Sequence, residues 1–172
     1  MTPPRNNQFP QPKLNLVVGI GDMKATDQID ARLVTYSLGS CVGVVVYDPV
    51  VKVGGMLHAM LPNSAHNRDR AAERPFIYVD RGLPALFHAV YALGAFKERL
   101  LVKLAGGAEL LQHSNFLNIG GSNVEAVKNM LQRNHVKLTA IDTGGREVRT
   151  LRLDIATGEL IMDTVGKTSH PF

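Results

Sequence analysis

The sequence predicts an α/β protein of the α+β type, with more strand than helix, and three observations carry that expectation. Short runs of β-branched and apolar residues, among them Val42–Tyr47 and Met56–Met60, recur between Gly-, Pro- and Asp-containing turns, which is the pattern of strands. Two other stretches repeat apolar residues at three- and four-residue spacing, which is the pattern of helices packing on one face. At 172 residues, with 45% hydrophobic and 20% charged, the chain suits a single globular domain that buries a core without disulfides.

Residues 1–13 are rich in Pro, Asn and Gln and read as a mobile tail, leaving 14–172 as the folded domain. Leu14–Ile20 opens the fold as a strand, Gly21–Ala31 is polar and punctuated, and Arg32–Tyr36 is a second extended piece. The runs Val42–Tyr47 and Met56–Met60, separated by Asp48-Pro49 and Gly54-Gly55, read as neighbouring strands. Pro62–Pro75 is polar and charged and reads as a surface loop at the exit of the second of these, with a composition that suggests gating. Asp80 is a candidate N-cap for a helix over Arg81–Leu93, with Leu83, Leu86, Phe87, Val90 and Tyr91 on its apolar face, Pro84 in the first turn and Gly94 ending it. Arg99–Leu104 reads as a strand, and Gly106-Gly107 as a turn into a short helix through Leu111. Ser122 and Glu125 have the spacing of a capping box, opening a helix to Gln132 that buries Val124, Val127, Met130 and Leu131. Lys137–Asp142, Val148–Asp154 and Glu159–Thr164 complete the strands, with a hairpin turn at Thr157-Gly158.

Composition narrows the function classes. The net charge of +4 lacks a dense basic run, and aromatic and basic residues are not interleaved on a strand, so nucleic acid is not the expected partner. The first residues lack the apolar core of a signal peptide, and no stretch approaches the roughly 20 apolar residues that span a bilayer. One cysteine cannot form an internal disulfide, which fits a reducing compartment, and the expected location is cytoplasmic. Gly106-Gly107 and Gly144-Gly145 lack the spacing of phosphate-binding loops and read as tight turns. The six histidines show no metal-binding spacing, and Ser40 lies outside the G-x-S-x-G context of a serine hydrolase. Asp142 and Arg149 read as a structural ion pair.

The stretch Thr35–Leu61 holds the candidate chemistry. Cys41 stands where the Leu38-Gly39-Ser40 turn meets one strand, and His58 stands on the next, so a thiol and an imidazole can meet in space. That pairing suits a cysteine nucleophile whose proton a histidine removes, with backbone N–H groups of the turn at Gly39 and Ser40 facing a substrate carbonyl. The other reading is a small buried hydrophobe and a hydrogen-bonded core histidine, and spacing alone leaves both open.

A wider set of motifs resembles a known family, the chemoreceptor glutamine deamidases called CheD. The resemblance rests on LGSC (Leu38–Cys41), V-x-V-x-x-YDP (Val42–Pro49), GGM-x-H-x-MLP (Gly54–Pro62) and YVD (Tyr78–Asp80). It continues through LGA (Leu93–Ala95), KLAGGAELL (Lys103–Leu111), IG-x-x-N (Ile119–Asn123) and DTGG-x-x-x-R (Asp142–Arg149). Order and spacing hold from Leu16 to Thr164, and the combination is specific where each piece alone would be weak. One departure is Ser122, where many relatives carry Arg.

The resemblance implies stacked mixed β-sheets flanked by helices, similar to the cysteine-hydrolase fold of deamidases of the cytotoxic necrotizing factor type. It places a nucleophile on Cys41, a general base on His58 and an orienting hydroxyl on Thr35, six residues before the cysteine. The implied reaction is hydrolysis of protein glutamine to glutamate in methyl-accepting chemotaxis receptors, with no metal or organic cofactor. Many members also bind a CheC-type phosphatase. Two other classes compete: a non-catalytic chemotaxis adaptor using the same surface, and a cysteine amidohydrolase acting on another amide.

Overall fold

The computed structural model describes residues 14–109, 118–165 and 169–172. In chain order the described elements begin with β1 (Leu14–Val17), β2 (Asp22–Thr26), β3 (Ala31–Leu38), β4 (Val42–Asp48), β5 (Val53–Ala59) and the short helix α1 (Arg68–Glu73). They continue with α2 (Val79–Ala92), β6 (Leu101–Gly106), α3 (Ile119–Arg133), β7 (Ala140–Thr143), β8 (Arg149–Asp154), β9 (Leu160–Thr164) and β10 (His170–Pro171). The strands form two mixed sheets, one in the order β1-β3-β8-β9-β10 and the other in the order β2-β5-β4-β6-β7. This is the α+β arrangement that the sequence predicts.

The burial of each strand follows from its layer. In β8 the residues alternate, with Arg149, Leu151 and Leu153 buried and their neighbours half-buried, as expected of a sheet covered on one face. Every residue of β4 and β5 is buried, because their sheet is covered on both faces. Val45, Tyr47 and Met56 pack against Leu33, Leu151 and Leu153 of the other sheet. Val44, Val46 and Leu57 pack against Leu83, Leu86 and Val90 of α2 and Val127 of α3. Such burial is worth about 1.5–3 kcal/mol for each large aliphatic side chain. Gly54 and Gly55, which by sequence mark a turn, lie inside β5 and serve this double covering. A Cβ on Gly54 would stand 2.4 Å from Ile155 Cδ1, and one on Gly55 would stand 2.7 Å from Leu86 Cδ1 and 2.8 Å from Val90 Cγ1.

The chain crosses from one sheet to the other within residues 38–42. Strand β3 pairs with β8 through Thr35 opposite Leu151, then slips by one residue to pair Leu38 with Arg149. The extra residue is a bulge in which Tyr36 and Ser37 face solvent and Ser37 takes a φ of 59°. Beyond it the chain leaves β3 and enters β4 at Val42.

Several boundaries differ from the sequence expectation. Gly21–Ala31 contains β2, a polar strand held by antiparallel pairing with β5. Pro62–Pro75 contains α1, capped by the Asn67 side chain accepting from the Arg70 N–H. Helix α2 starts after Tyr78, which puts Pro84 past the first turn. Its expected cap, Asp80, accepts instead from the backbone N–H and hydroxyl of Ser64, at 3.0 and 2.9 Å. Helix α3 is capped by Asn118, whose Oδ1 accepts from the Gly121 N–H, so Ser122 lies inside the helix and caps nothing. The expected tail at 1–13 and the end of the helix expected after Gly107, at 110–111, fall outside the described residues, and the described Ala108 and Glu109 are not helical. No described helix is long and apolar enough to cross a membrane.

Candidate active site

Thr35 and His58 come from strands of different sheets and meet between them, and Cys41 stands in the bend just before β4, packed in the same inter-sheet core. Thr35 lies on β3 of one sheet and His58 on β5 of the other, and both are fully buried. Thr35 Oγ1 stands 2.8 Å from His58 Nδ1 and 2.7 Å from the carbonyl of Val18. A hydroxyl has a single proton, and a carbonyl can only accept, so that proton goes to Val18. The Thr35 oxygen therefore accepts from Nδ1–H, and the network assigns His58 the tautomer with an unprotonated Nε2. Nε2 is buried and has no hydrogen-bond partner among the described residues.

Cys41 shares the face of His58. In the β4–β5 ladder His58 stands opposite Gly43. Residues two apart on a strand point to the same side, so Cys41 is the diagonal neighbour of His58 on the inner face. Cys41 as a whole residue is 9% exposed and lies at the edge of the buried core. No hydrogen bond joins it to Nε2. Burial pushes the Cys41 thiol above its usual range, against a smaller opposite effect of its own backbone N–H. Burial also lowers the pKa of His58 to about 4. At neutral pH both groups are uncharged, so the resting pair is thiol and imidazole and not thiolate and imidazolium.

The turn that carries Cys41 is tied down at three consecutive carbonyls. The carbonyl of Gly39 accepts from the Ala108 N–H at 2.8 Å, and that of Cys41 from the Gly107 N–H at 2.7 Å. Between them, the carbonyl of Ser40 accepts from Asn123 Nδ2 of α3 at 3.0 Å. The Gly106–Glu109 segment is itself braced by the loop before β8, through Gly144 N–H to the Gly106 carbonyl and Glu109 N–H to the Gly145 carbonyl. Arg149 holds that loop with an ion pair to Asp142 at 2.6 Å and a bond to the Gly144 carbonyl at 3.1 Å. The Asp142–Arg149 pair is thus the structural one expected from the sequence. Asn123 stood in the sequence only as the last residue of IG-x-x-N, and nothing local pointed to its reach across the fold. Among the described residues, no group of three or more His, Cys, Asp or Glu side chains is placed to hold a metal ion.

Fold and site together define a two-sheet α+β protein with a threonine-held imidazole and a thiol on one inner face. Comparison with known proteins gives that class a family. Residues 60–164 match the family model of CheD, described as CheD chemotactic sensory transduction. The chain is 43% identical over 152 residues to a protein of Syntrophus aciditrophicus named "Probable chemoreceptor glutamine deamidase CheD 1", covering 88% of this chain and 95% of that one. It is 45% identical over 156 residues to a like-named protein of Symbiobacterium thermophilum, covering 89% and 94%. Against a like-named protein of Pyrococcus abyssi it is 47% identical over 150 residues, covering 86% and 90%. The chain belongs to the CheD family.

Proposed function

We propose that this chain is a protein-glutamine deamidase that converts glutamines of chemotaxis receptors to glutamates, with Cys41 as nucleophile, His58 as general base and Thr35 as its orienting partner. The observation that supports it best is the Thr35–His58 hydrogen bond. It leaves the Nε2 lone pair free on the face that carries Cys41.

Because both groups rest uncharged, the thiol gives up its proton during attack. Nε2 accepts the Sγ proton as Sγ bonds to the carboxamide carbon, and the C=O electron pair moves onto oxygen. The Cys41 N–H, which favours the charged form of its own Sγ, is the candidate donor for that oxyanion. Collapse reforms the carbonyl and breaks the C–N bond, and Nε2–H protonates the departing nitrogen, which leaves as ammonia. Water then attacks the thioester with Nε2 taking its proton, the C–S bond breaks, and the thiolate recovers that proton. The sum is glutamine plus water to glutamic acid plus ammonia. Throughout, Thr35 accepts from Nδ1–H and favours the imidazolium that exists only during turnover, the role of the third member of a triad.

Mass spectrometry of a receptor cytoplasmic fragment, incubated with wild type and with Cys41→Ala, tests this directly. The expected result is a gain of about 1 Da at specific glutamines with wild type only, because each –NH2 becomes –OH. No gain with either protein across several receptors would reject the deamidase and leave the adaptor reading.

A further inference from the structure

Asn123 joins the two halves of the site from a third element. It is fully buried on α3, and its Nδ2 donates both protons, one to the carbonyl of Ser40 at 3.0 Å and one to the carbonyl of Met60 at 2.9 Å. Ser40 immediately precedes Cys41, and Met60 lies two residues beyond His58. The amide is held for its NH2 group alone. Its Oδ1 is buried with no partner among the described residues, and the flipped amide would press an oxygen against two carbonyl oxygens.

The consequence for the nucleophile follows from the geometry of a trans peptide. The C=O of Ser40 and the N–H of Cys41 lie in one rigid plane and point in opposite directions across the C–N bond. Gripping the carbonyl therefore aims the N–H. The two flanking carbonyls are held by the backbone of Gly107 and Ala108, so among the described residues the Ser40–Cys41 plane is the one plane of this turn held through its carbonyl by a side chain.

Resting on the deamidase reading above, we infer that Asn123 is a positioning residue that aims the Cys41 N–H at the developing oxyanion and locks the nucleophile turn to the end of the His58 strand. It touches no substrate. It acts by fixing the tilt of one peptide plane and the spacing of the two chain segments that carry Ser40 and Met60.

Asn123→Ala removes both donors, and Asn123→Ser keeps one hydroxyl donor in a smaller side chain. Each is compared with wild type per titratable Cys41 thiol, in the temperature range where the variant is folded. Two readouts are taken: kcat and KM for glutamine deamidation, and the pH profile of Cys41 alkylation by iodoacetamide. Asn123→Ala should lower kcat by about tenfold or more with KM within about twofold, since the lost interaction acts in the transition state. Its alkylation midpoint should move to higher pH, because the N–H no longer faces Sγ, and Asn123→Ser should fall between. A purely packing role would lower the melting temperature and leave both readouts at wild-type values, and that result would overturn the inference. If wild type itself shows no deamidation, the proposed function fails while the alkylation profile still judges Asn123. If neither variant folds, the side-chain amide resonances of Asn123 in wild type decide: they should shift when Cys41 is carbamidomethylated, and unmoved signals would overturn the inference.

Discussion

His58 should make the folded protein sensitive to mild acid by an amount that can be worked out from its burial. The imidazole titrates near 6.5 when the chain is unfolded and at about 4 when folded, because burial disfavours its charged form. Between these values the unfolded chain binds a proton that the folded chain does not. Stability is therefore complete above pH 6.5 and is lost as the pH falls toward 4. At about 1.36 kcal/mol per pH unit, the full loss is about 3 kcal/mol, and most of it is spent by pH 4.5. Urea denaturation at pH 7.5 and 4.5 measures it, with His58→Asn as the reference. Asn keeps an N–H for Thr35 and does not titrate, so subtracting its pH dependence removes the carboxylates and the other histidines. Wild type should lose about 2–3 kcal/mol more than the variant across that range. Equal losses would show that folded His58 titrates as it does in the unfolded chain and would refute its lowered pKa, and a smaller loss in wild type would show that the folded state holds the proton more tightly and would refute the uncharged resting pair.

Two other perturbations test the neighbouring contacts. Thr35→Val keeps the shape but leaves Nδ1–H and the Val18 carbonyl without their partner; it should cost about 1–3 kcal/mol in urea denaturation and lower kcat by tenfold or more per folded molecule. Turnover of that variant within twofold of wild type would remove Thr35 from the mechanism. Gly55→Ala forces a methyl against Leu86 and Val90 at 2.7 and 2.8 Å, so the melting temperature should fall with a loss of about 1–3 kcal/mol, while kcat per folded molecule holds.

How much of this was legible in the sequence depended on whether the signal was local. The β4–β5 pair was readable because β-branched runs flanking turn residues declare themselves within a few positions. The apolar face of α2 was readable from its three- and four-residue period. Strand β2 was not, since DMKAT has weak strand propensity and is extended because β5 supplies its hydrogen-bond partners. The cap of α2 was misread at Asp80 because that carboxylate is engaged by Ser64, sixteen residues away, across a loop. Ser122 and Glu125 fit a capping box, yet Asn118 begins the helix one turn earlier.

By itself, the sequence determined the chemical inventory: one thiol beside a Gly-Ser turn, an imidazole on an apolar run, a threonine upstream, and motifs that together point to one family. Those are properties of residue type and spacing. Only the tertiary structure decided which of these groups share a face, through the register that sets His58 opposite Gly43. It also decided the tautomer of His58, the uncharged state of the pair, and the grip of Asn123 on the carbonyl of a residue 83 positions away. The physical reason is that hydrogen-bond partnership and desolvation depend on distance in space, and neither is encoded in the local pattern of the chain.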